Sequence, residues 1–339
     1  MDLSIVIASY NTSEVTCRCL EAVFQATRDL KKEVIVVDNA SRDQTCETIV
    51  RKFPEALLIR NDRNVGFAAA QNIGLKKSSG RYLMILNSDV FLDEDMPRRM
   101  LEHFERVDGR IGVLGPQILN PDGSVAPSAR RFFLGRPMIL LGVINRYFNF
   151  KRFLPEQFMR RNLGFLLGRW HDNYAAHDGI LEVDFVDGMC FLVRRETLEE
   201  VGLFDEHFFF DEEILDLSLR IRQAGWRIEY FPPARAVHIG HASRKLLSPI
   251  VIETQRSEFI FCSKHVPQLL PFVRGAVIAV VGLKRALTLL TLLFGDRSGQ
   301  KRRMLDIYGQ ILSLARAADP EAFRKGAVIP RLSRSEHND

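Results

Sequence analysis

Short apolar runs alternate with amphipathic segments along the first part of the chain. The apolar runs predict buried strands, and segments with apolar positions three and four residues apart predict helices. Strands are predicted at residues 3–8, 33–37, 56–60, 82–86, 111–115 and 226–231. Helices are predicted at residues 13–27, 44–52, 67–80 and 95–107. Regular alternation of strand and helix predicts an α/β fold with a parallel central sheet and right-handed crossovers.

Polar side chains stand where three of these strands end: Tyr10, Asp38 and Asp89. The carboxyl ends of the strands form the edge at which open α/β sheets bind ligands. Asp89 could hold a divalent cation there, Mg²⁺ or Mn²⁺, and through it a diphosphate. Asp38 could accept a hydrogen bond from the imide N–H of uracil or thymine, and Tyr10 offers a ring for the base to lie against. The structural alternative is that both aspartates cap the following helices and Tyr10 is a loop aromatic.

A second group of acids follows the aromatic run Phe208–Phe210 and opens a predicted helix that ends near Gly225. These acids are residues 211, 212, 213 and 216. The helix dipole favours carboxylates in a first turn whatever their role. An apolar wall can also raise the pKa of a carboxylate, which suits a residue that takes a proton. We therefore expect them to line a catalytic edge, with the structural interpretation left open.

Several classes of protein are disfavoured by the sequence. No Gly-x-Gly-x-x-Gly follows the first strand and no glycine-rich lysine loop occurs, which argues against a dinucleotide-binding fold and a P-loop NTPase. Five cysteines lack metal-ligand spacing and a disulfide pattern, so we expect a reducing, cytoplasmic environment. The first residues enter a strand directly and every 18-residue stretch carries charge, so we expect neither a signal peptide nor a conventional membrane span.

Charge is unevenly distributed, although the formal net charge is only +5. Between residues 130 and 170, nine basic side chains, including Arg130 and Arg131, accompany one acid and many aromatic rings. This basic aromatic insert suits a membrane interface, or a surface that grips the pyrophosphate of a lipid-linked acceptor. Nucleic-acid surfaces use the same residue types, but no nucleic-acid-binding motif accompanies them. A solvated loop is the structural alternative.

Residues 269–294 are strongly apolar but carry Arg274, Lys284 and Arg285. At 100° per residue, Arg274 and Arg285 fall about 20° apart, which predicts a cationic stripe on an apolar helix. Such a helix lies in a membrane interface or packs against the catalytic domain, and we favour the interface. The predicted divisions are a catalytic domain at 1–245, with halves at 1–115 and 116–245, and a membrane-associated helical region at 246–339 with a disordered tail.

The strand-end motifs, taken in order, resemble those of family 2 inverting glycosyltransferases with the GT-A fold. They are residues 6–11 (VIASYN), 37–43 (VDNASRD), 64–68 (NVGFA) and 86–89 (LNSD). The resemblance covers residues 3–243 and implies a Rossmann-like, mostly parallel sheet flanked by helices, with a C-terminal helical appendage beyond it. It also implies that the first two motifs bind the nucleotide base and that the last is the Asp-x-Asp-type metal motif. Only the final Asp is present, with Asn87 in place of the first, a variant common in the rhamnosyltransferase-like branch.

The same resemblance assigns roles to individual residues. The implied nucleotide-sugar-binding residues are Ala8, Tyr10, Asp38, Asn64, Gly66, Asn72, Asn87 and Ser88. The implied metal ligands are Asp89 and His238, although a lone histidine is more often structural. The kinked strand pair predicted around Gly188 resembles the acceptor side, and we expect Arg130 and Arg131 to contact the acceptor.

One departure from the family pattern concerns the catalytic base. The family motif reads Glu-Asp-x-Asp with the first Asp as the base, and an ungapped alignment places Ile214 there. Glu213 or a neighbouring acid then supplies the base, or the loop is shifted by one residue, or activity is impaired; we favour Glu213. Asp216 lies three residues on, on a similar helix face, and we expect it to orient Glu213 or an arginine.

Together these patterns predict an inverting glycosyltransferase that moves a sugar, L-rhamnose as first choice, from a dTDP- or UDP-sugar to a lipid-linked or polysaccharide acceptor of the bacterial cell envelope. We expect dependence on Mg²⁺ or Mn²⁺, peripheral attachment to the inner face of the membrane and no nucleic-acid partner, with homo-oligomerisation left open. One alternative is a catalytically inactive scaffold that binds a nucleotide sugar. The other, a sugar-phosphate nucleotidyltransferase, needs a glycine-rich basic loop that residues 9–13 lack.

Overall fold

The computed structural model describes residues 2–107, 110–126, 128–130, 179–240, 247–293 and 299–318. They form two compact units. The first contains the described residues up to 130 together with 179–209 and 213–240, and the second contains 210–212, 247–293 and 299–318. Most of the basic aromatic insert, including Arg131, and the C-terminal tail lie outside the described residues, so what was predicted for them stays a prediction.

The elements of the first unit follow the predicted alternation. Its strands are β1 (Leu3–Ser9), β2 (Lys32–Asp38), β3 (Leu57–Arg60), β4 (Tyr82–Asn87), β5 (Val90–Leu92), β6 (Ile111–Leu119), β7 (Ala129–Arg130), β8 (Leu181–Val183), β9 (Phe185–Val186), β10 (Cys190–Arg194) and β11 (Arg227–His238). Its helices are α1 (Ser13–Ala26), α2 (Thr45–Lys52), α3 (Phe67–Lys77), α4 (Met96–Arg106), α5 (Arg195–Val201) and α6 (Glu213–Gln223).

A mixed sheet runs through this unit in the order β3-β2-β1-β4-β10-β6-β11-β5, with β8 alongside β11. The first four strands are mutually parallel, as are β6 and β11. β10 runs antiparallel to β4 and β6, and β5 and β8 run antiparallel to β11. The predicted α/β fold with a mostly parallel sheet is confirmed, and β10, β5 and β8 are the antiparallel strands that the strand–helix alternation did not predict. A buried apolar run such as Cys190–Arg194 places a strand inside a sheet without fixing its direction.

Helices cover both faces of the sheet because each strand alternates its side chains between two cores. Ile5 and Ile7 of β1 face one core, which includes residues of α1 and α4. Val6 faces the other, which includes residues of α3 and α6. This layering leaves the carboxyl ends of β1, β2 and β4 together at one edge.

β11 continues through Pro232-Pro233, where the sequence predicted its end. Its ladder with β6 shifts register between Phe231 and Arg235, so the prolines, which cannot donate to a ladder, fall in an irregularity. The strand then pairs with β5 as far as His238. Because β11 runs parallel to β4 in this sheet, the continuation carries His238 to the edge at which β4 ends.

The second unit contains three helices among its described residues: α7 (Leu247–His265), α8 (Leu270–Leu293) and α9 (Gly299–Ala317). α8 forms where residues 269–294 predicted an apolar helix. Its stretch Leu270–Leu292 is long and apolar enough to cross a membrane, by length and composition alone. Its three basic residues were the reason for expecting no conventional span.

Candidate active site

The carboxyl ends of β1, β2 and β4 are aligned by the strand register. Ala8 pairs with Val37 on one side and with Asn87 on the other, and Ser9 pairs with Asp38. The polar residues that end these strands therefore lie at one edge of the sheet, where open α/β sheets bind ligands.

The loops after β1 and β2 brace each other at this edge. The backbone N–H of Asn11 donates to Ser41 Oγ (2.8 Å), and the backbone N–H of Arg42 donates to Asn11 Oδ1 (2.7 Å). Asn11 and Ala40 have φ values of 53° and 64°, in the left-handed region that few non-glycine residues adopt. Tyr10, which is half-buried, belongs to the first of these braced loops.

Asp38 is buried at the end of β2. Its Oδ2 accepts the backbone N–H of Ser41 (2.9 Å), whereas its Oδ1 has no partner among the described residues except the thiol of Cys46, a weak donor. Burial, followed by the contact with Asp38, raises the pKa of Cys46 to about 11, so the thiol stays protonated. The helix-capping alternative is wrong, since α2 begins at Thr45 with Gln44 as its N-cap. A buried carboxylate oxygen without a strong donor suits the imide N–H of a pyrimidine.

Gly66 is required by the close approach of Phe209. Its φ of 92° favours glycine, and a Cβ there would lie 2.5 Å from the Phe209 carbonyl oxygen. Asn64 Oδ1 accepts the Gly66 N–H (3.0 Å), and Asn39 Nδ2 donates to the Gly66 carbonyl (3.2 Å). Asn64 and Gly66 thus shape the start of α3, and their contact with a nucleotide sugar stays a prediction.

Asn72 has a different role from the one the sequence suggested. Its side chain is buried, Nδ2 donates to the Phe204 carbonyl (2.9 Å) and to Glu206 Oε1 (2.9 Å), and Oδ1 accepts the Phe204 N–H (3.1 Å). The amide is therefore occupied within the protein. It braces α3 against the segment that precedes α6, and both of its N–H donors are already used there.

Asp89 and His238 meet at the sheet edge. β5 and β11 pair with Val90 opposite His238, and the N–H of Ile239 donates to the Asp89 carbonyl (3.1 Å). This register places His238 Nε2 3.2 Å from Asp89 Oδ2, with the side chains 24% and 12% exposed. The capping alternative for Asp89 is wrong, because β5 follows it and the next helix, α4, begins only at Met96.

These two side chains fit a divalent cation that is shared with a substrate. A carboxylate oxygen and an imidazole nitrogen are both ligands of Mn²⁺, and Mg²⁺ favours the carboxylate. In the part of the chain that the structure describes, no three His, Cys, Asp or Glu side chains cluster as a metal site. Asp89 and His238 would thus supply two ligands, with phosphate oxygens and water at the remaining positions, as is usual where a cation binds a diphosphate; that the protein binds such a cation stays a prediction.

Asn87 and Ser88 connect β4 to Asp89, and both are half-buried. The Asn87 N–H donates to the Met189 carbonyl (2.9 Å), and the Cys19 thiol lies 3.7 Å from the Asn87 carbonyl. Burial, then the charge of Asp89, raises the pKa of Cys19, so the thiol remains a neutral support beneath this segment. A contact of Asn87 and Ser88 with the donor stays a prediction.

Gly188 lies in the turn between β9 and β10, against Ile214 at the start of α6. A Cβ at position 188 would lie 2.6 Å from Ile214 Cγ1, so only glycine allows this contact. Ile214, which the ungapped alignment predicts at the position of the family's base, therefore packs directly on the segment expected to face the acceptor.

Asp187 is a residue that sequence reasoning passed over. It is half-buried and immediately precedes Gly188, and its N–H donates to the Ser128 carbonyl (2.8 Å). Since Gly188 contacts Ile214 and the Met189 carbonyl accepts the Asn87 N–H, the turn that begins at Asp187 lies between the start of α6 and the end of β4. The signal available in the sequence was a single acid within the otherwise apolar stretch 185–193.

Glu213 is the first residue of α6 and is 6% exposed, whereas Asp216 is fully buried. Arg220 Nε donates to Asp216 Oδ2 (2.9 Å), and the same guanidinium donates to the carbonyls of Val201 (2.7 Å) and Leu203 (2.8 Å). The geometry matches the expectation that Asp216 orients an arginine. A catalytic role for Asp216 itself does not fit, because its carboxylate is inaccessible.

Arg130 lies in β7, where its backbone pairs with Phe185 of β9. The small β7–β9 ladder thus joins the start of the basic aromatic insert to the turn that holds Gly188. Contacts of Arg130 and Arg131 with an acceptor stay predictions.

The mixed sheet flanked by helices is the GT-A fold, and Asp89 and His238 meet at its carboxyl edge. The solved structure of Staphylococcus aureus TarS in complex with UDP-GlcNAc has this fold, with a TM-score of 0.51 at 16% identity over 96% of this chain and 93% of TarS. GalNAc-T7 with UDP, GalNAc and Mn²⁺ gives a TM-score of 0.53 at 16% identity over 97% and 58%.

The chain belongs to Glycosyl transferase family 2, whose family model matches residues 4–202. It is 29% identical over 250 residues to the N-acetylglucosaminyl-diphospho-decaprenol L-rhamnosyltransferase of Mycobacterium tuberculosis, covering 70% of this chain and 75% of the relative. It is 25% identical over 243 residues to the poly-beta-1,6-N-acetyl-D-glucosamine synthase of Staphylococcus aureus, covering 68% and 48%.

Proposed function

We propose that the protein transfers a sugar from a UDP- or dTDP-sugar to a lipid-linked or polysaccharide acceptor in cell-envelope glycan synthesis, with inversion at the anomeric carbon. The observation that carries the proposal is the 3.2 Å contact between Asp89 and His238, at the sheet edge where the buried Asp38 also lies. The name of the mycobacterial relative supports L-rhamnose as the first donor sugar and a lipid diphosphate as the acceptor.

In this proposal Asp38 accepts the imide N–H of the nucleotide base, and Tyr10 supplies a ring for it to lie against. Asn87 and Ser88 contact the donor beyond the end of β4. Asp89 and His238 hold Mg²⁺ or Mn²⁺, which supplies positive charge to offset the charge developing on the departing diphosphate.

A carboxylate must take the proton of the acceptor hydroxyl as its oxygen attacks the face opposite the diphosphate. Glu213 is the first candidate for this base. The two residues before it, Asp211 and Glu212, have φ values of 70° and 66°, and such strain in non-glycine residues is found mainly at functional sites. Asp187 is the second candidate, since it adjoins Gly188 and hence the position taken by Ile214.

We place the protein at the inner face of the cell membrane as a peripheral protein. All five cysteines are free and buried, in keeping with a reducing cytoplasm. The exposed apolar surface of α8 supports membrane attachment.

A catalytically inactive scaffold that binds a nucleotide sugar is the second candidate, and one observation favours it. Ile214, which the ungapped alignment predicts at the position of the family's base, packs on Gly188, and an inactive protein would keep the donor site while lacking the proton acceptor.

Hydrolysis of a panel of dTDP- and UDP-sugars by the purified protein, with Mn²⁺ or with EDTA, tests the proposal. We expect metal-dependent release of nucleotide diphosphate from one donor, reduced at least about 100-fold by Asp89→Ala because the cation loses its carboxylate ligand. Arg98→Gln, an exposed change on α4, serves as the control. Tight nucleotide binding without turnover for any donor would favour the scaffold.

A further inference from the structure

The second unit ends in a helix pair whose arrangement is fixed by contacts along its length. Arg274, near the start of α8, donates to the carbonyl of Arg316, near the end of α9 (3.2 Å). Further along, a Cβ added to Gly309 would lie 4.0 Å from Arg285 Cζ. The helices are therefore antiparallel, and the last turns of α8 lie beside the first turns of α9. We call residues 283–292 and 299–304 the helix-pair tip.

Exposed apolar side chains concentrate at the helix-pair tip. Of the twelve large apolar side chains exposed among the described residues, five belong to it: Leu283, Leu287, Leu289, Leu290 and Met304, which are between 37% and 61% exposed. Leu283, Leu287 and Leu290 fall within about 60° of one another on the helix. Burial on α8 is limited: only 17% of its most apolar stretch is covered by the protein. The surfaces of soluble proteins rarely expose several leucines so close to one another.

Basic side chains surround these leucines. Lys284, Arg285, Arg302 and Arg303 are all exposed, and none forms an ion pair with any residue that the structure describes. Leucines flanked by cations match the boundary of an anionic bilayer, where apolar groups enter the acyl region and cations meet lipid headgroups. A second copy of the same tip would instead bring like charges together.

We propose that the helix-pair tip inserts its leucines into an anionic membrane surface while its four cations bind lipid phosphates. The inference deepens the membrane part of the proposed function but is independent of the transfer chemistry. It assigns the attachment to one described surface instead of to α8 as a whole.

Co-sedimentation with phosphatidylcholine vesicles, with and without phosphatidylglycerol, tests the proposal on the full chain. We expect binding to the anionic vesicles, and a loss of at least about tenfold in Leu287→Gln/Leu290→Gln, because two buried apolar side chains leave the acyl region. Arg302→Gln/Arg303→Gln should lose about fivefold per charge on anionic vesicles only, and less at high salt.

Matched controls come from the first unit. Val50 and Leu57 are 56% and 50% exposed, so Val50→Gln/Leu57→Gln removes comparable apolar surface elsewhere, and Arg51→Gln/Lys52→Gln removes comparable charge. Both controls should bind vesicles like the wild type. Donor hydrolysis by the tip variants should stay at the wild-type rate. The vesicle assay thus tests membrane attachment, and the hydrolysis assay tests the proposed glycosyl transfer separately. Unchanged vesicle binding in the tip variants would overturn the proposal, as would a lipid-free dimer that these variants convert to monomer.

Discussion

Ile214, which the ungapped alignment predicts at the position of the family's catalytic base, packs on Gly188, so the proposed transfer needs another acid to take the proton. Glu213→Gln should lower transfer by about 100-fold or more while nucleotide affinity stays the same, since a general base contributes to the barrier and not to donor binding. Steady-state kinetics and nucleotide titration of the same preparation separate the two effects. Asp187→Asn is the companion variant: if it loses transfer while Glu213→Gln keeps it, the base is Asp187.

A substitution at Gly188 tests its contact with Ile214. Gly188→Ala should destabilise the protein by about 1–3 kcal/mol, because its Cβ would overlap the Ile214 side chain. Thermal or denaturant unfolding measures the change. Adding Ile214→Ala should recover part of the loss, and a double-mutant cycle gives the coupling. Gly179→Ala, whose Cβ would meet nothing within 4 Å, is the control; an equal loss there would contradict the explanation.

The sequence revealed two of the site residues because each stands at the end of an apolar run: Asp38 follows Val37 directly, and Asp89 comes after the run 82–86 with two residues between. His238 came from the family resemblance, since Pro232-Pro233 made its strand seem to stop early. Asn72 was misjudged because nothing in its local sequence shows that its amide would bind the backbone of Phe204. Such partners are set by tertiary packing, which a periodic pattern does not encode.

At the level of elements, the Arg220 guanidinium attaches α6 to the end of α5 and to the turn that follows it. Asp216 holds Arg220, and Arg220 donates to the carbonyls of Val201, Gly202 and Leu203. Asp216→Asn should destabilise the protein by about 2–4 kcal/mol, a value below the full range for buried pairs because Arg220 is partly exposed.

The matched control for this prediction is Glu102→Gln in α4. Glu102 and Arg106 have the same four-residue spacing but are 49% and 76% exposed, so the change should be below about 0.5 kcal/mol. Denaturant unfolding of both variants gives the comparison. A small effect in both would mean that Arg220 is held by the carbonyls alone.

The periodicity of apolar residues is sufficient to predict the position of most of these elements. Apart from β5, the strands and helices up to α4 were predicted within a few residues, because each apolar run is bounded by polar loop residues. The direction of β10 was not predictable, since a strand buried on both faces reads the same whichever way it runs. β5, with three residues, was too short to give a periodic signal, yet it is the strand that sets His238 beside Asp89.

Across the whole molecule, the candidate site draws on two distant stretches of chain. Asp38 and Asp89 come from the first parallel strands, whereas His238 arrives at the end of the last strand of the sheet. A ligand that contacts both Asp38 and a cation held by Asp89 and His238 should therefore bind more tightly when the cation is present. The cation should in turn bind more tightly when the ligand is present, and by the same factor.

This reciprocity gives the last prediction. UDP at 100 times its dissociation constant should stabilise the protein by about 2.7 kcal/mol with Mn²⁺ present, and by clearly less with EDTA, because the diphosphate then loses its cation. Thermal unfolding measures the shift in Tm. Asp89→Asn and His238→Gln should remove the Mn²⁺-dependent part and keep the rest, whereas Asp38→Asn should weaken UDP under both conditions. If His238→Gln kept the full Mn²⁺ dependence, the 3.2 Å contact with Asp89 would be a structural ion pair and the metal would have to bind without the histidine.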